Sequence, residues 1–164
     1  MLPRAPIESG GTFAGLSGSA ILLGAFIDIA FTEIAGTLLL LWLAPELASQ
    51  DEARVSQVLA ELAASTSYVA ASLALGALGT MLGAFVGARR AGQLHVRHGG
   101  WVAVTSQAIG VLLMALLPAP SEEVTEYPLW AEAVGWLLVL PAGMTGGALA
   151  AALPAAPRGR TRQP

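Results

Sequence analysis

Four stretches of mostly apolar residues alternate with polar segments along the chain. They cover residues 20–43, 68–88, 101–117 and 129–153. Because a helix needs about 20 predominantly apolar residues to cross the hydrocarbon core of a bilayer, each stretch predicts a membrane-spanning helix. Pro118 stops the third helix or kinks it, and Pro141 predicts a bend in the fourth. The pattern predicts an all-α, polytopic membrane protein with four transmembrane helices in one bundle.

The polar segment between the first two spans carries apolar residues at helical spacing. Val55, Val58, Leu59 and Leu62 lie within PELASQDEARVSQVLAEL. This spacing predicts a short extracytoplasmic amphipathic helix, and an outward extension of the second span is the alternative. The tails over about 1–14 and 155–164 are rich in Pro, Gly and Arg, so we expect them to be disordered. We therefore treat residues 1–164 as a single membrane domain.

Composition supports a membrane protein and narrows the chemistry. The chain is 55% apolar and only 12% charged, whereas a soluble domain carries about 25% charged residues. The absence of Cys excludes disulfides, thiolate metal sites and cysteine nucleophiles. We expect the lipid bilayer as a partner, and neither a nucleic acid nor a cofactor.

The charged residues predict the orientation of the spans. Arginine-rich links remain in the cytoplasm, and the link between the second and third spans contains Arg89, Arg90 and Arg97. The link between the first and second spans is acidic instead, as is the link between the third and fourth. We therefore expect a multi-pass protein of the bacterial inner membrane with both termini cytoplasmic. Arg89 and Arg90 could also contact anionic lipid headgroups.

Two spans contain stripes of small residues. Gly79, Gly83 and Gly87 recur on one face of the second span, and Gly143 and Gly147 repeat the spacing on the fourth. Such stripes let another helix approach closely. Packing within one bundle is the favoured interpretation, and a homo-oligomer seam or a membrane-protein partner is the alternative. Aligning Gly79 with Gly143 indicates an internal repeat, in which the chain forms two parallel helical hairpins.

Two carboxyl groups interrupt the first span, in GAFIDIAFTEIAG. Insertion scales assign its apolar residues about −4 to −8 kcal/mol in total, and two central acids about +5 to +7 kcal/mol. Asp28 and Glu33 therefore need neutralisation, neighbouring helices or a wet cavity. Their five-residue spacing points them about 140° apart, which does not favour a shared-proton pair.

A polar layer is predicted around Asp28. With the expected orientation, Asp28, Thr80, Gln107 and Thr145 lie at a common depth, one from each span. One hypothesis is that Asp28 or Glu33 binds a proton or a cation during transport or signalling. The other is that both acids are protonated structural groups, hydrogen-bonded to neighbours such as Thr32 or Gln107.

Other chemistry is weakly supported by the sequence. His95 and His98 lack a third metal ligand and are expected to be solvated in a basic loop, and no predicted span contains His. Ser17 lies in GLSGS, which only loosely matches a nucleophile elbow. We therefore expect no metal site and no enzymatic activity.

The segments FIDIAFTEIAGTLL and LGAFVGARRAG resemble small, uncharacterised four-span bacterial integral membrane proteins. The shared features are the Asp28-Ile29 step in the first span and the glycine-rich second span that ends in Arg89. The resemblance implies four helices and no particular activity. The expected function is a non-enzymatic structural, accessory or regulatory membrane component. The alternative is a proton- or cation-coupled transporter of small solutes that uses Asp28.

Overall fold

The structure is a computed structural model that describes residues 13–48, 52–116 and 128–154. Its helices are α1 (Gly18–Leu43), α2 (Glu52–Ala64), α3 (Thr66–Ala91), α4 (His95–Leu116) and α5 (Leu129–Ala152), with a 3₁₀ turn at Pro45–Ala48. Four of them, α1, α3, α4 and α5, are long and apolar enough to cross a membrane. This confirms the predicted all-α fold with four membrane-spanning helices. Most of both tails, and the acidic link before α5, lie outside the described residues.

The four long helices are arranged around a central pair, α3 and α4. These two helices contact each other, and each also contacts both α1 and α5. Within the described ranges, α1 and α5 make no contact with each other. The two outer helices therefore interact only through the central pair. We call the end where α1 and α4 begin and α3 and α5 finish the Arg89 end, and the opposite end the α2 end.

The turn between α3 and α4 is shorter than the sequence predicts. α3 ends at Ala91 and is capped by Gly92, whose φ of +72° is a left-handed conformation that glycine adopts without strain. α4 begins at His95 rather than at Trp101, and so contains both histidines. The prediction that no span contains His is therefore wrong. The first part of α4 was not predicted because its polar side chains lower the mean hydropathy of the segment. They do not prevent the segment from forming a helix.

The short helix predicted between the first two spans is present as α2. It buries Val58 and Ala63, and it ends one residue before α3. That residue, Ser65, caps α3 by accepting a hydrogen bond from the backbone N–H of Tyr68 at 3.5 Å. An ion pair of 3.6 Å joins Arg54 of α2 to Glu46 of the preceding 3₁₀ turn. The α2 helix is thus a separate element rather than an extension of α3.

The glycine stripe of α3 lies against α1. A Cβ atom on Gly83 would lie 2.9 Å from both N and Cβ of Asp28, and one on Gly87 would lie 2.8 Å from the carbonyl oxygen of Ala20. These atoms belong to the α1 backbone or are bonded directly to it, so they cannot move aside. Glycine is therefore required for the observed approach of α3 to α1.

The glycine stripe of α5 lies in the same way against α4. A Cβ atom on Gly143 would lie 2.6 Å from the carbonyl oxygen of Gly99, and one on Gly147 would clash with the carbonyl oxygen of His95. In both hairpins, then, glycines of the second helix rest on the backbone of the first. The internal repeat that aligns Gly79 with Gly143 stays a prediction.

Candidate functional site

Asp28 lies in the interior of the bundle, where only 5% of its surface is exposed. The hydroxyl group Oγ1 of Thr80, on α3, donates a hydrogen bond to Oδ1 of Asp28 at 3.2 Å. Thr32 of α1 and Ser106 of α4 also lie close to this carboxyl group. We call these four residues the Asp28 cluster. It joins α1, α3 and α4 through polar side chains, with no basic partner among the described residues.

The hydroxyl groups of the cluster determine which form of the acid they can satisfy. Ser106 Oγ donates to the carbonyl oxygen of Ala103 at 3.1 Å, and a hydroxyl group has only one proton to donate. While that bond is made, Ser106 can only accept a hydrogen bond from the carboxyl group. A protonated Asp28 can donate to Ser106 and still accept from Thr80. The cluster can therefore hold Asp28 as a neutral acid without leaving a buried polar group unpaired.

Two of the residues predicted for this polar layer lie elsewhere. Thr145 is exposed, and its hydroxyl group donates to the carbonyl oxygen of Pro141 on its own helix at 2.7 Å. It cannot reach Asp28 because α5 does not contact α1 within the described residues. Gln107 is half-buried, but α4 presents its neighbour Ser106 to the acid instead. The structure therefore brings together three of the four helices.

Glu33 lies apart from the Asp28 cluster, on an exposed part of α1. It lines a cleft of about 200 Å³ between α1 and α3. The other lining residues are Thr32, Gly36, Thr37, Leu40, Tyr68, Ser72 and Leu75. Thr32 belongs both to this cleft and to the Asp28 cluster, so the two sites are neighbours. We call this feature the Glu33 cleft.

His98 forms a second polar site that the sequence analysis missed. Its side chain is fully buried, and its Nε2 accepts a hydrogen bond from the backbone N–H of Ser17 at 2.9 Å. Since Nε2 is an acceptor, the ring proton lies on Nδ1, which donates to the carbonyl oxygen of Leu94 at 3.2 Å. Leu94 immediately precedes α4, and its φ of +48° is uncommon for a residue other than glycine. The neutral imidazole thus ties the beginning of α1 to the beginning of α4.

A metal site at the histidines has no support among the described residues. No group of three or more His, Asp or Glu side chains that could hold a metal ion occurs there. His98 also has both ring nitrogens engaged by backbone groups, and His95 is only half-buried. Solvation, which the sequence analysis expected for both rings, is wrong for His98.

Arg89 binds the end of α5. Its Nη1 and Nη2 donate to the carbonyl oxygens of Leu153 and Pro154 at 2.8 Å and 3.0 Å. Carbonyl groups at the end of a helix have no partner within the helix and favour a nearby positive charge. Arg90 and Arg97 are exposed at the same end of the bundle. Of the three predicted topology residues, Arg89 is therefore the one in this charge-assisted contact.

A helical period in the sequence could have revealed the missed residues. The buried positions of α4 are His98, Gly99, Val102, Ala103 and Ser106. Their spacing follows one face of a helix, and most of them are small. Extending this stripe back from the apolar part of α4 predicts that His98 lies inside the bundle. It also predicts Ser106, rather than Gln107, as the α4 residue that faces Asp28.

No family model matches the chain, and neither a curated protein nor a solved structure is significantly similar to it. The resemblance to four-span bacterial membrane proteins therefore extends only to the four long apolar helices, and no family is identified. Any function must be argued from the described residues themselves. The features available are the Asp28 cluster, the Glu33 cleft and the polar contacts at the Arg89 end.

Proposed function

We propose that this protein is a non-enzymatic membrane component with a structural, accessory or regulatory role. The observation that carries the proposal is the Asp28 cluster, in which Thr80 and Ser106 surround the buried acid from two neighbouring helices. Gly83 packs directly on the backbone of Asp28, so α1 and α3 are in close contact at this acid. An acid held in this way contributes to the association of α1, α3 and α4.

The proposal includes an orientation, with both termini in the cytoplasm of a bacterial inner membrane. Its support is the separation of charge, since Arg89, Arg90 and Arg97 lie at one end and the acidic α2 at the other. The cysteine-free chain allows a direct test with Ser56→Cys on α2 and Ala14→Cys at the Arg89 end. An impermeant maleimide should label Ser56→Cys in intact cells, and Ala14→Cys only after permeabilisation. The reverse pattern would overturn the orientation.

Purification from the native membrane in a mild detergent tests the accessory role. We expect a stable membrane-protein partner in fixed stoichiometry with the chain. Replacing Asp28 by Leu should weaken binding of that partner only as far as the substitution unfolds the bundle. Circular dichroism and size-exclusion chromatography measure the extent of unfolding. A chain that purifies alone, and that also catalyses solute-dependent proton release in proteoliposomes, would contradict the accessory role.

The second candidate is a proton- or cation-coupled carrier of small solutes that uses Asp28. It is favoured by Thr32, which lines the Glu33 cleft and also lies close to the buried acid. Protons could thus pass between the cleft and Asp28 through a hydroxyl group. Reconstituted protein should then show pH-dependent flux that Asp28→Asn abolishes. Flux that Asp28→Asn leaves unchanged would reject Asp28 as the coupling group.

A further inference from the structure

We propose that the Glu33 cleft binds a small organic cation of the alkylammonium class, with Glu33 as its counter-ion. The site lies between α1 and α3, at a surface that the Asp28 cluster does not use. The inference goes beyond the accessory role and does not rest on it, since a ligand can bind there whether or not the protein transports solutes.

The depth of Glu33 makes an unpaired charge unfavourable. It lies near the middle of α1 (Gly18–Leu43), displaced from the midpoint by about 4 Å at 1.5 Å per residue. Its side chain is nevertheless exposed, and no described residue gives it a hydrogen bond or an ion pair. A carboxylate at this depth needs a proton, water or a cation. The cleft beside it provides space for a cation.

The remaining walls of the cleft match the two halves of an alkylammonium ion. Tyr68 lines the cleft, and the face of an aromatic ring attracts a cation through its quadrupole. Thr37 and Ser72 add hydroxyl oxygens that can accept hydrogen bonds, while Leu40 and Leu75 offer apolar contact for carbon atoms. A hard metal cation prefers six or so oxygen ligands and gains nothing from leucine. The mixed lining therefore favours an organic cation.

The volume of the cleft sets the size of the ligand. Its volume is about 200 Å³, which is room for several water molecules. A small ion such as choline fits this space. Drug-sized ligands need pockets of about 300 Å³ or more. The site is thus expected to discriminate against large lipophilic cations.

Calorimetric titration of the purified full-length protein in detergent tests the proposal. The probes are choline, whose charge is independent of pH, and 3,3-dimethyl-1-butanol, its neutral isostere. Choline should bind at one saturable site, and the neutral alcohol at least tenfold more weakly. Glu33→Gln should weaken choline binding at least tenfold, and Tyr68→Leu should also weaken it. The matched control is Glu132→Gln, which neutralises an exposed acid on α5 and should leave choline binding unchanged.

Several results would contradict the proposal. Equal binding of choline by wild type and Glu33→Gln, equal binding of the two probes, or no binding of choline to the folded wild type would overturn the proposal. An oligomer that Glu33→Gln dissociates would also overturn it, because another chain would then occupy the cleft. Circular dichroism of each variant shows whether it is folded, and Glu33→Asp supplies a second variant that keeps the charge. That variant should retain more choline affinity than Glu33→Gln.

Discussion

The hydroxyl group of Thr80 donates to the carboxyl group of Asp28 across 3.2 Å, joining α3 to α1. Both residues are near the middle of their helices, where water cannot replace a lost partner. The bond therefore links two helices that also approach each other closely at Gly83 and Gly87.

Replacing Thr80 by Val should reduce the free energy of unfolding by about 0.6 to 1.7 kcal/mol, the range for an interhelical hydrogen bond in a membrane. Reversible unfolding in mixed detergent micelles, followed by circular dichroism, measures this change. The matched control is Thr145→Val, whose hydroxyl group is exposed and bonds to its own helix at Pro141. Equal losses of unfolding free energy in the two variants would show that the hydrogen bond from Thr80 to Asp28 contributes no more than the bond of Thr145 within its own helix.

Gly83→Ala should destabilise the bundle by about 1 to 3 kcal/mol, the usual cost of overpacking a site that cannot relax. The new methyl group would meet the carbonyl oxygen of Gly24 and the backbone of Asp28. Gly76→Ala, on the same helix, has no atom within 4 Å of the new Cβ and should be neutral or stabilising by about 0.5 to 1 kcal/mol. The same unfolding measurement compares the two variants. The packing of α3 on α1 would be wrong if Gly83→Ala were as stable as Gly76→Ala.

Arg89→Gln should loosen the last turn of α5, because the carbonyl groups of Leu153 and Pro154 lose their charged donor. We expect amide hydrogen exchange in that turn to accelerate on the order of tenfold, which corresponds to about 1.4 kcal/mol. Arg90→Gln removes the same charge from an exposed position and should leave the exchange unchanged. The pair of variants therefore distinguishes a local contact from a general effect of charge on membrane orientation.

His98→Phe should release the segment that precedes α1. Phenylalanine keeps an aromatic ring but cannot accept a hydrogen bond from the backbone N–H of Ser17. Because this donor is part-buried, the loss should cost about 1 kcal/mol, the low end of the range for an unpaired buried donor. Maleimide labelling of Ala14→Cys in the permeabilised cell should then be faster than in the parent. His95→Phe, at a half-buried position, serves as the control. Unchanged labelling would mean that the imidazole does not hold this segment.

The number of spans was predictable because a bilayer imposes its own length on apolar sequence. The detailed polar contacts were not, because depth alone does not say which helices are neighbours. Thr145 and Asp28 were predicted to share a layer, yet α1 and α5 lie on different sides of the α3–α4 pair. Hydropathy likewise placed His98 in a loop, although the ring is buried and bonds to the backbone of Ser17, which is 81 residues away in the chain. Which face each helix turns inward depends on pairing, which a single sequence does not specify.

The separation of Asp28 from Thr80 also has a consequence for biosynthesis. The two residues are 52 positions apart in the chain. At a translation rate of about 5 to 20 residues per second, Thr80 is therefore synthesised about 3 to 10 seconds after Asp28. During that interval α1 must remain in the membrane or its insertion machinery without the hydrogen bond from Thr80 to Asp28. Because α5 does not contact α1, the cluster can close before the last helix emerges from the ribosome. The Asp28 cluster can therefore assemble while the ribosome is still translating the chain.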